Sequence, residues 1–241
     1  MEMIIIQLTV LSAAVLQAAL GVGFGVLAGP ILLLHFKSVD AVFISILLNL
    51  LIAVMLAPRL QAQRAAGIFP SLAVGTLVGL PFGVWFLNII EFNTLQFIAG
   101  ISVLLAAASI FGKKTSRNKK LDSTGFTLFI GWVAGLMGGA LGMPGPIPAG
   151  WMAFRGYVKD TIRATLITLC VISYGGAILL HGFLSDIASS VFLQALSLAP
   201  ATIVGLYMGN KLTQILSEKF FRILITVILV CSAGSLFWDL L

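Results

Sequence analysis

The chain has 241 residues, of which 60% are hydrophobic and only 9% charged, and its formal net charge is +6. Soluble domains carry about 25% charged residues, so this composition excludes a soluble globular domain and assigns the chain to a bilayer. The positive charge does not point to nucleic acid: its densest run, KKTSRNKK (113–120), has no recognition helix or aromatic stacking surface beside it.

In chain order, residues 4–34 form an apolar region interrupted by GVGFG (21–25). Glu2 stands where a signal peptide would have its basic n-region, so this stretch is expected to be part of the working protein. Apolar spans follow at 41–57, 67–90 and 94–111, each near the ~20 residues that cross the hydrocarbon. The basic linker 112–124 leads into a second interrupted region, 125–154, broken by GALGMPGP (139–146). Three more spans are predicted at 165–180, 187–208 and 220–238. Cys170 and Cys231 fall in different spans with no CxxC pairing, which reads as small buried residues and not as a disulfide or metal site.

Each interrupted region is either one crossing with a trailing loop or a hairpin that enters and leaves on one side. The positive-inside rule separates the two. If both are hairpins and KKTSRNKK is cytoplasmic, Arg59, Arg64, Arg155, Lys159, Arg163, Lys211, Lys219 and Arg222 also fall inside, and of the 14 Lys and Arg only Lys37 falls outside. Single crossings would instead put the 155–163 and 211–222 groups outside. The predicted fold is an all-α polytopic membrane protein of two inverted repeats, 1–111 and 125–241, each a broken or re-entrant helical hairpin plus three transmembrane helices. Both termini are then outside. Sequence echoes agree: AGP (28–30) with PGP (144–146), and VGLPFG (78–83) with VGLYMG (204–209). Asp40 and Asp160 each sit where an Asp caps the start of a span.

Irregular backbone at membrane depth is tolerated only where protein or a water-filled cavity covers it. In the inverted arrangement the two glycine-rich tips approach the midplane from opposite sides. The returning half-helices, starting near Phe24 and Met143, then aim their N-termini at one central volume. Helix N-termini carry about +0.5 charge and unpaired N–H groups, which makes an anion site without Lys or Arg. No Asp or Glu lies in any span to repel an anion. The competing reading is that the glycines serve tight helix packing, which leaves Pro144, Pro146 and Pro148 unexplained. The candidate substrate-binding residues are Gln17, Gly21, Gly23, Phe24, Gly25, Asn49, Gly139, Leu141, Gly142, Met143, Pro144, Gly145, Ser173 and Tyr174. Gln17 could equally be a structural hydrogen-bonder of tip carbonyls, and Asn49, Ser173 and Tyr174 interhelical ones. Arg155 and Arg163 read as snorkelling side chains or as a cytoplasmic funnel or gate for anions. His35 and His181 fall near outer span ends and read as interfacial.

These residues carry a family resemblance. GALGMPGPIPAGWMAFRGYVKDTIRATLI (139–167) resembles the second-half motif of the TauE/SafE sulfite exporters, in which a glycine-rich, Gly-Pro-containing turn precedes an Arg-Gly pair and then Arg-Ala-Thr. Here these are Arg155-Gly156 and Arg163-Ala164-Thr165, and GVGFGVLAGPILLL (21–34) is similar to the first-half motif. The second turn, often Gly-Ile-Gly-Gly-Pro-Pro in the family, reads GMPGPIP here. The resemblance implies export of sulfite, a sulfonate such as sulfoacetate, or a related small acid across the bacterial inner membrane.

The expected function is a secondary transporter that exports a small anion by alternating access; an anion channel or a passive uniporter for small carboxylates is the alternative. An enzyme is not expected, because neither HExxH nor Gly-x-Ser-x-Gly occurs and no His pairs with either Cys. The expected partners are the small anion and the lipid bilayer, with no cofactor, metal or nucleic acid. The sequence does not set an oligomeric state.

Overall fold

The computed structural model describes residues 2–36, 40–89, 123–184 and 189–217, with individual positions between 94 and 104 and between 219 and 234. The described chain is helical: α1 (Glu2–Leu20), α2 (Phe24–Phe36), α3 (Asp40–Leu60) with a 3-10 turn at Gln61–Gln63, α4 (Phe69–Ile89), α5 (Thr124–Leu141), α6 (Pro146–Phe154), α7 (Lys159–Leu184) and α8 (Ser189–Ile215). Most of the expected spans 94–111 and 220–238, the basic run 113–120, and Cys231 lie outside the described residues.

Both interrupted regions are broken pairs, α1–α2 and α5–α6, as the glycine and proline pattern requires. Their arms are unequal, however. The first arms have 19 and 18 residues and the returning arms 13 and 9. At 1.5 Å per residue a first arm of this length reaches about 27–28 Å, close to the full hydrocarbon thickness. Six helices among the described residues are long and apolar enough to cross a membrane, and α1 and α5 are two of them. The second returning helix starts at Pro146, one turn later than Met143, with Gly145 as its N-cap. Helices α3, α7 and α8 are longer than the apolar stretches alone suggest, α7 running from Lys159 to Leu184 because its helix continues into polar residues such as Lys159 and Asp160, whereas α4 falls just inside its expected span 67–90. Asp40 and Asp160 lie inside the first turns of α3 and α7, where a carboxylate complements the helix dipole.

Lipid tails are as apolar as leucine, so helix association here depends on close packing and not on expulsion of water. Two seams provide it. Along α4 and α5, Gly75, Gly79 and Gly83 face Gly131, Gly135 and Gly139; a Cβ on Gly135 would collide with the Thr76 carbonyl, and one on Gly139 would come within 2.6 Å of the Leu80 carbonyl. Thr76 Oγ1 donates to the Gly131 carbonyl across this seam (3.1 Å). Along α1 and α8, Gly205 and Gly209 lie against the backbone of Leu11 and Val15 and the side chains of Ala14 and Ala18. The glycine-packing reading is therefore correct for Gly139, which belongs to a seam and not to a tip. The central α3 and α7 pack together between these pairs, with α4 also against α7 and α8 also against α3. The outward faces of α4 and α8 expose Val74, Leu77, Phe82 and Trp85, and Leu193, Leu196 and Met208, as lipid contact requires.

The seam makes a specific prediction. Gly135→Ala is expected to destabilise the detergent-solubilised protein by about 1–3 kcal/mol through overpacking. Gly182→Ala, whose Cβ meets nothing within 4 Å among the described residues, is expected to leave stability unchanged. Thermal unfolding of the two variants beside the parent protein compares them directly.

Candidate anion site between the two hairpin tips

Both first arms end in the same way. Gly21 (φ 80°) and Gly142 (φ 64°) adopt the left-handed conformation that stops a helix at no steric cost. Gly21 N–H donates to the Gln17 carbonyl (2.8 Å), and Gly142 N–H to the Gly138 carbonyl (3.1 Å). Space enforces the choice as well. A Cβ on Gly21 would sit 3.0 Å from the Arg163 backbone, and one on Gly142 would sit 3.1 Å from Ile46. Each tip is thus seated on a long central helix, tip one on α7 and tip two on α3.

The tips also touch each other. A Cβ on Gly25 would lie 2.8 Å from the Gly142 carbonyl oxygen, and one on Gly145 would lie 2.9 Å from Val22. Between them is a narrow pocket of about 10 Å³, lined by both tips and by Cys170 and Tyr174 of α7. That is room for about one water, so the tips are nearly closed on each other and must part to admit a larger ion.

Of the expected residues, Gln17, Gly21, Gly23, Gly25, Met143, Gly145 and Tyr174 line this pocket. Gln17 bridges the first break: its Oε1 accepts from Phe24 N–H (3.2 Å), and its Nε2 donates to the Gly21 carbonyl (3.3 Å) and contacts Cys170 Sγ at 3.7 Å. Tyr174 donates its hydroxyl to the Gly142 carbonyl (3.1 Å). One helix, α7, therefore contacts tip one through Cys170 and tip two through Tyr174. Phe24, Gly142 and Pro144 are buried but do not line the pocket; Gly139 is buried in its seam, and Leu141, on the last turn of α5, is half-buried. Asn49 and Ser173 are fully buried away from the lining. Asn49 Nδ2 donates to the Ser45 carbonyl (3.1 Å), while Ser45 Oγ, Asn49 Oδ1 and Ser173 Oγ have no partner among the described residues. Cys170, Val22 and Pro146 line the pocket and were not expected to. The signal for Cys170 was its spacing of four from Tyr174, which puts both side chains on one helix face.

The arginines neither snorkel nor open to solvent: Arg155 is 4% and Arg163 5% exposed. Arg163 Nε donates to the Ala18 carbonyl (2.6 Å), and its Nη2 donates to Asn210 Oδ1 (2.7 Å). Thr213 Oγ1 reaches the next carbonyl, Ala19 (3.3 Å). The carbonyls freed where α1 ends thus receive a cation and a hydroxyl, which also suits the negative end of the helix. Arg155 is the C-cap of α6. Lys159 Nζ donates to the Thr213 carbonyl (3.2 Å) and to the Leu216 carbonyl at the end of α8. His35 is exposed, whereas His181, expected at the interface, is 1% exposed.

The returning helices supply the positive end of the site. First-turn N–H groups of a helix have no intrahelical acceptor. On α2 these include Gly25 and Val26, Phe24 being taken by Gln17. On α6, Pro146 and Pro148 have none to give, which leaves Gly145 and Ile147. Tyr174→Phe is expected to cost about 1 kcal/mol by freeing the Gly142 carbonyl. Arg163→Met, which strips a charged donor from the buried Ala18 carbonyl, should cost about 1.5–3 kcal/mol. Chemical unfolding in detergent ranks the two.

The family model described as Sulfite exporter TauE/SafE matches residues 6–236. No curated protein and no solved structure matches the chain. A multi-pass helical chain with two broken hairpins, matched over nearly its whole length by that model, belongs to the TauE/SafE family of membrane transporters.

Proposed function

We propose that this protein is a secondary transporter that exports a small anion, sulfite or a sulfonate such as sulfoacetate, by alternating access, with the substrate held between the two hairpin tips. The observation that carries the reading is the contact of the tips around a small pocket onto which two half-helix N-termini open. The pattern of helix contacts supports it. Exchanging α1–α4 for α5–α8 in order turns the α4–α5 seam into the α8–α1 seam, and the α4–α7 contact into α8–α3. It leaves α3–α7 paired with itself, which is the relation expected of two halves that rock about a common axis. In this reading 1–111 and 125–241 are the two halves, the membrane is the bacterial inner membrane, and both termini face outward.

A site made of backbone N–H groups and dipoles binds weakly. Each half-helix contributes about 0.3–1 kcal/mol, up to ~2 when partly buried, and two prolines remove donors from α6. The dissociation constant should therefore be nearer millimolar, corresponding to ~4 kcal/mol, than micromolar. Such a site favours bisulfite or a sulfonate over sulfate, whose dehydration two partial charges do not offset. Gln17→Ala is expected to weaken binding by about 1 kcal/mol.

Purified protein in proteoliposomes should give saturable sulfite or sulfoacetate flux with sulfate a poor competitor, and Gly25→Ala, whose methyl wedges against the Gly142 carbonyl, should lose most of it while remaining folded. Flux linear in substrate up to tens of millimolar would point to a channel. For orientation, Ser116→Cys in a cysteine-free background should resist impermeant reagents applied outside intact cells. Labelling there would reverse the topology.

A further inference from the structure

One oxygen lies where the two tips and a central helix meet. The Gly142 carbonyl abuts Gly25 in the first turn of α2, so closely that a Cβ there would come within 2.8 Å of it. Past the end of α5 it has no helical donor, because the residue four positions on is Pro146, which lacks an N–H. It accepts the Tyr174 hydroxyl instead, at 3.1 Å. A partly negative oxygen thus occupies the positive end of a half-helix and takes a hydroxyl donor as well, which is the setting an anion's oxygen would seek. The space left between the tips is about 10 Å³, room for about one water. A sulfite or sulfonate does not fit until this carbonyl withdraws.

The tips also differ in what holds them. At tip one, Arg163 gives a charged donor to the Ala18 carbonyl and binds Asn210, while Gln17 bridges the break from within. At tip two, Gly142 receives a neutral hydroxyl and lies against the apolar Val42 and Ile46. Charge-assisted hydrogen bonds are about twice as strong as neutral ones, so tip two is the one that yields. The Tyr174 ring lines the pocket, and its hydroxyl hydrogen turns from one acceptor to another by rotation about the C–O bond.

We propose that the Gly142 carbonyl holds the substrate's place in the empty protein, and that Tyr174 is a substrate-binding residue which exchanges one for the other. Empty, the hydroxyl donates to the carbonyl and the tips are closed. Loaded, it donates to an oxygen of the sulfite or sulfonate, a stronger acceptor, and the released second tip moves off α2. Only hydrogen bonds change. The exchange rests on the transporter reading and deepens it, since binding of the anion is then what frees a tip.

Gly142–Met143 is the single Gly–Met bond in the chain, so glycine labelled at the carbonyl carbon and methionine at nitrogen isolate this carbonyl for NMR in lipid nanodiscs. The probe is methanesulfonate, a small sulfonate with one charge at neutral pH. It should shift the Gly142 carbonyl resonance upfield and saturably, toward the position shown by Tyr174→Phe without any anion. By calorimetry Tyr174→Phe should bind methanesulfonate about fivefold more weakly, because a charge-assisted bond is lost against a neutral one, a difference of about one ordinary hydrogen bond. Its methanesulfonate flux in proteoliposomes should half-saturate at a correspondingly higher concentration. A Gly142 resonance that stays in place while the parent protein binds methanesulfonate overturns the proposal, and that result needs no variant to fold. Undiminished binding by folded Tyr174→Phe overturns it too. Protein that neither binds nor carries methanesulfonate or sulfite overturns the anion-carrier reading itself, and the exchange with it.

Discussion

A peptide group that leaves helical geometry inside a bilayer has no water to turn to, and each unsatisfied N–H or C=O costs several kcal/mol. This chain breaks its helices twice in that environment, and much of the rest of the structure is arranged around those breaks. Gln17 spans the first, taking the Phe24 N–H and returning a donor to the Gly21 carbonyl. Arg163 and Thr213 take the carbonyls where α1 ends, and Tyr174 takes the Gly142 carbonyl at the second break. Three of these four partners come from other helices, so neither tip can hold its shape until α7 and α8 are in place.

The glycine seams serve the same end from outside. Because α4 and α5, and α1 and α8, meet backbone to backbone, the first arm of each hairpin is fixed along much of its length. The strain of an irregular tip is then borne by a rigid support. What remains adjustable is the contact between tips, where Gly25 meets Gly142 and Val22 meets Gly145. Polar atoms without a hydrogen-bond partner among the described residues, among them Ser45 Oγ, Asn49 Oδ1 and Ser173 Oγ, lie on the two central helices, α3 and α7. An arrangement with idle hydrogen-bonding groups beside a closed contact suits a protein that has a second packing to reach.

The charges follow a division of labour. Lys159 and Arg163 both act as donors to helix-end carbonyls, which explains why cations occur where an apolar chain would be expected to exclude them. The pocket itself contains no charged side chain among its lining residues, so any attraction for an anion comes from dipoles and N–H groups, and release is correspondingly easy.

The amino-acid sequence by itself determined the membrane class, most of the span positions and the location of both breaks, because apolar length and the Gly/Pro punctuation are local properties that the bilayer reads directly. It also indicated that Gln17 and the glycines at 21, 23 and 25 belong to one constellation, since they lie within two helical turns of each other. Tertiary structure decided the rest. That Gly139 serves a seam and Gly145 a pocket could not be read from two glycines in one motif, because the difference is which helix passes behind each. That Arg163 is buried on the Ala18 carbonyl, and His181 set edge-to-face on Phe43, depends on pairings between residues far apart in the chain. A side chain's partner at such separation is set by how helices cross, and no local pattern of residues contains that angle.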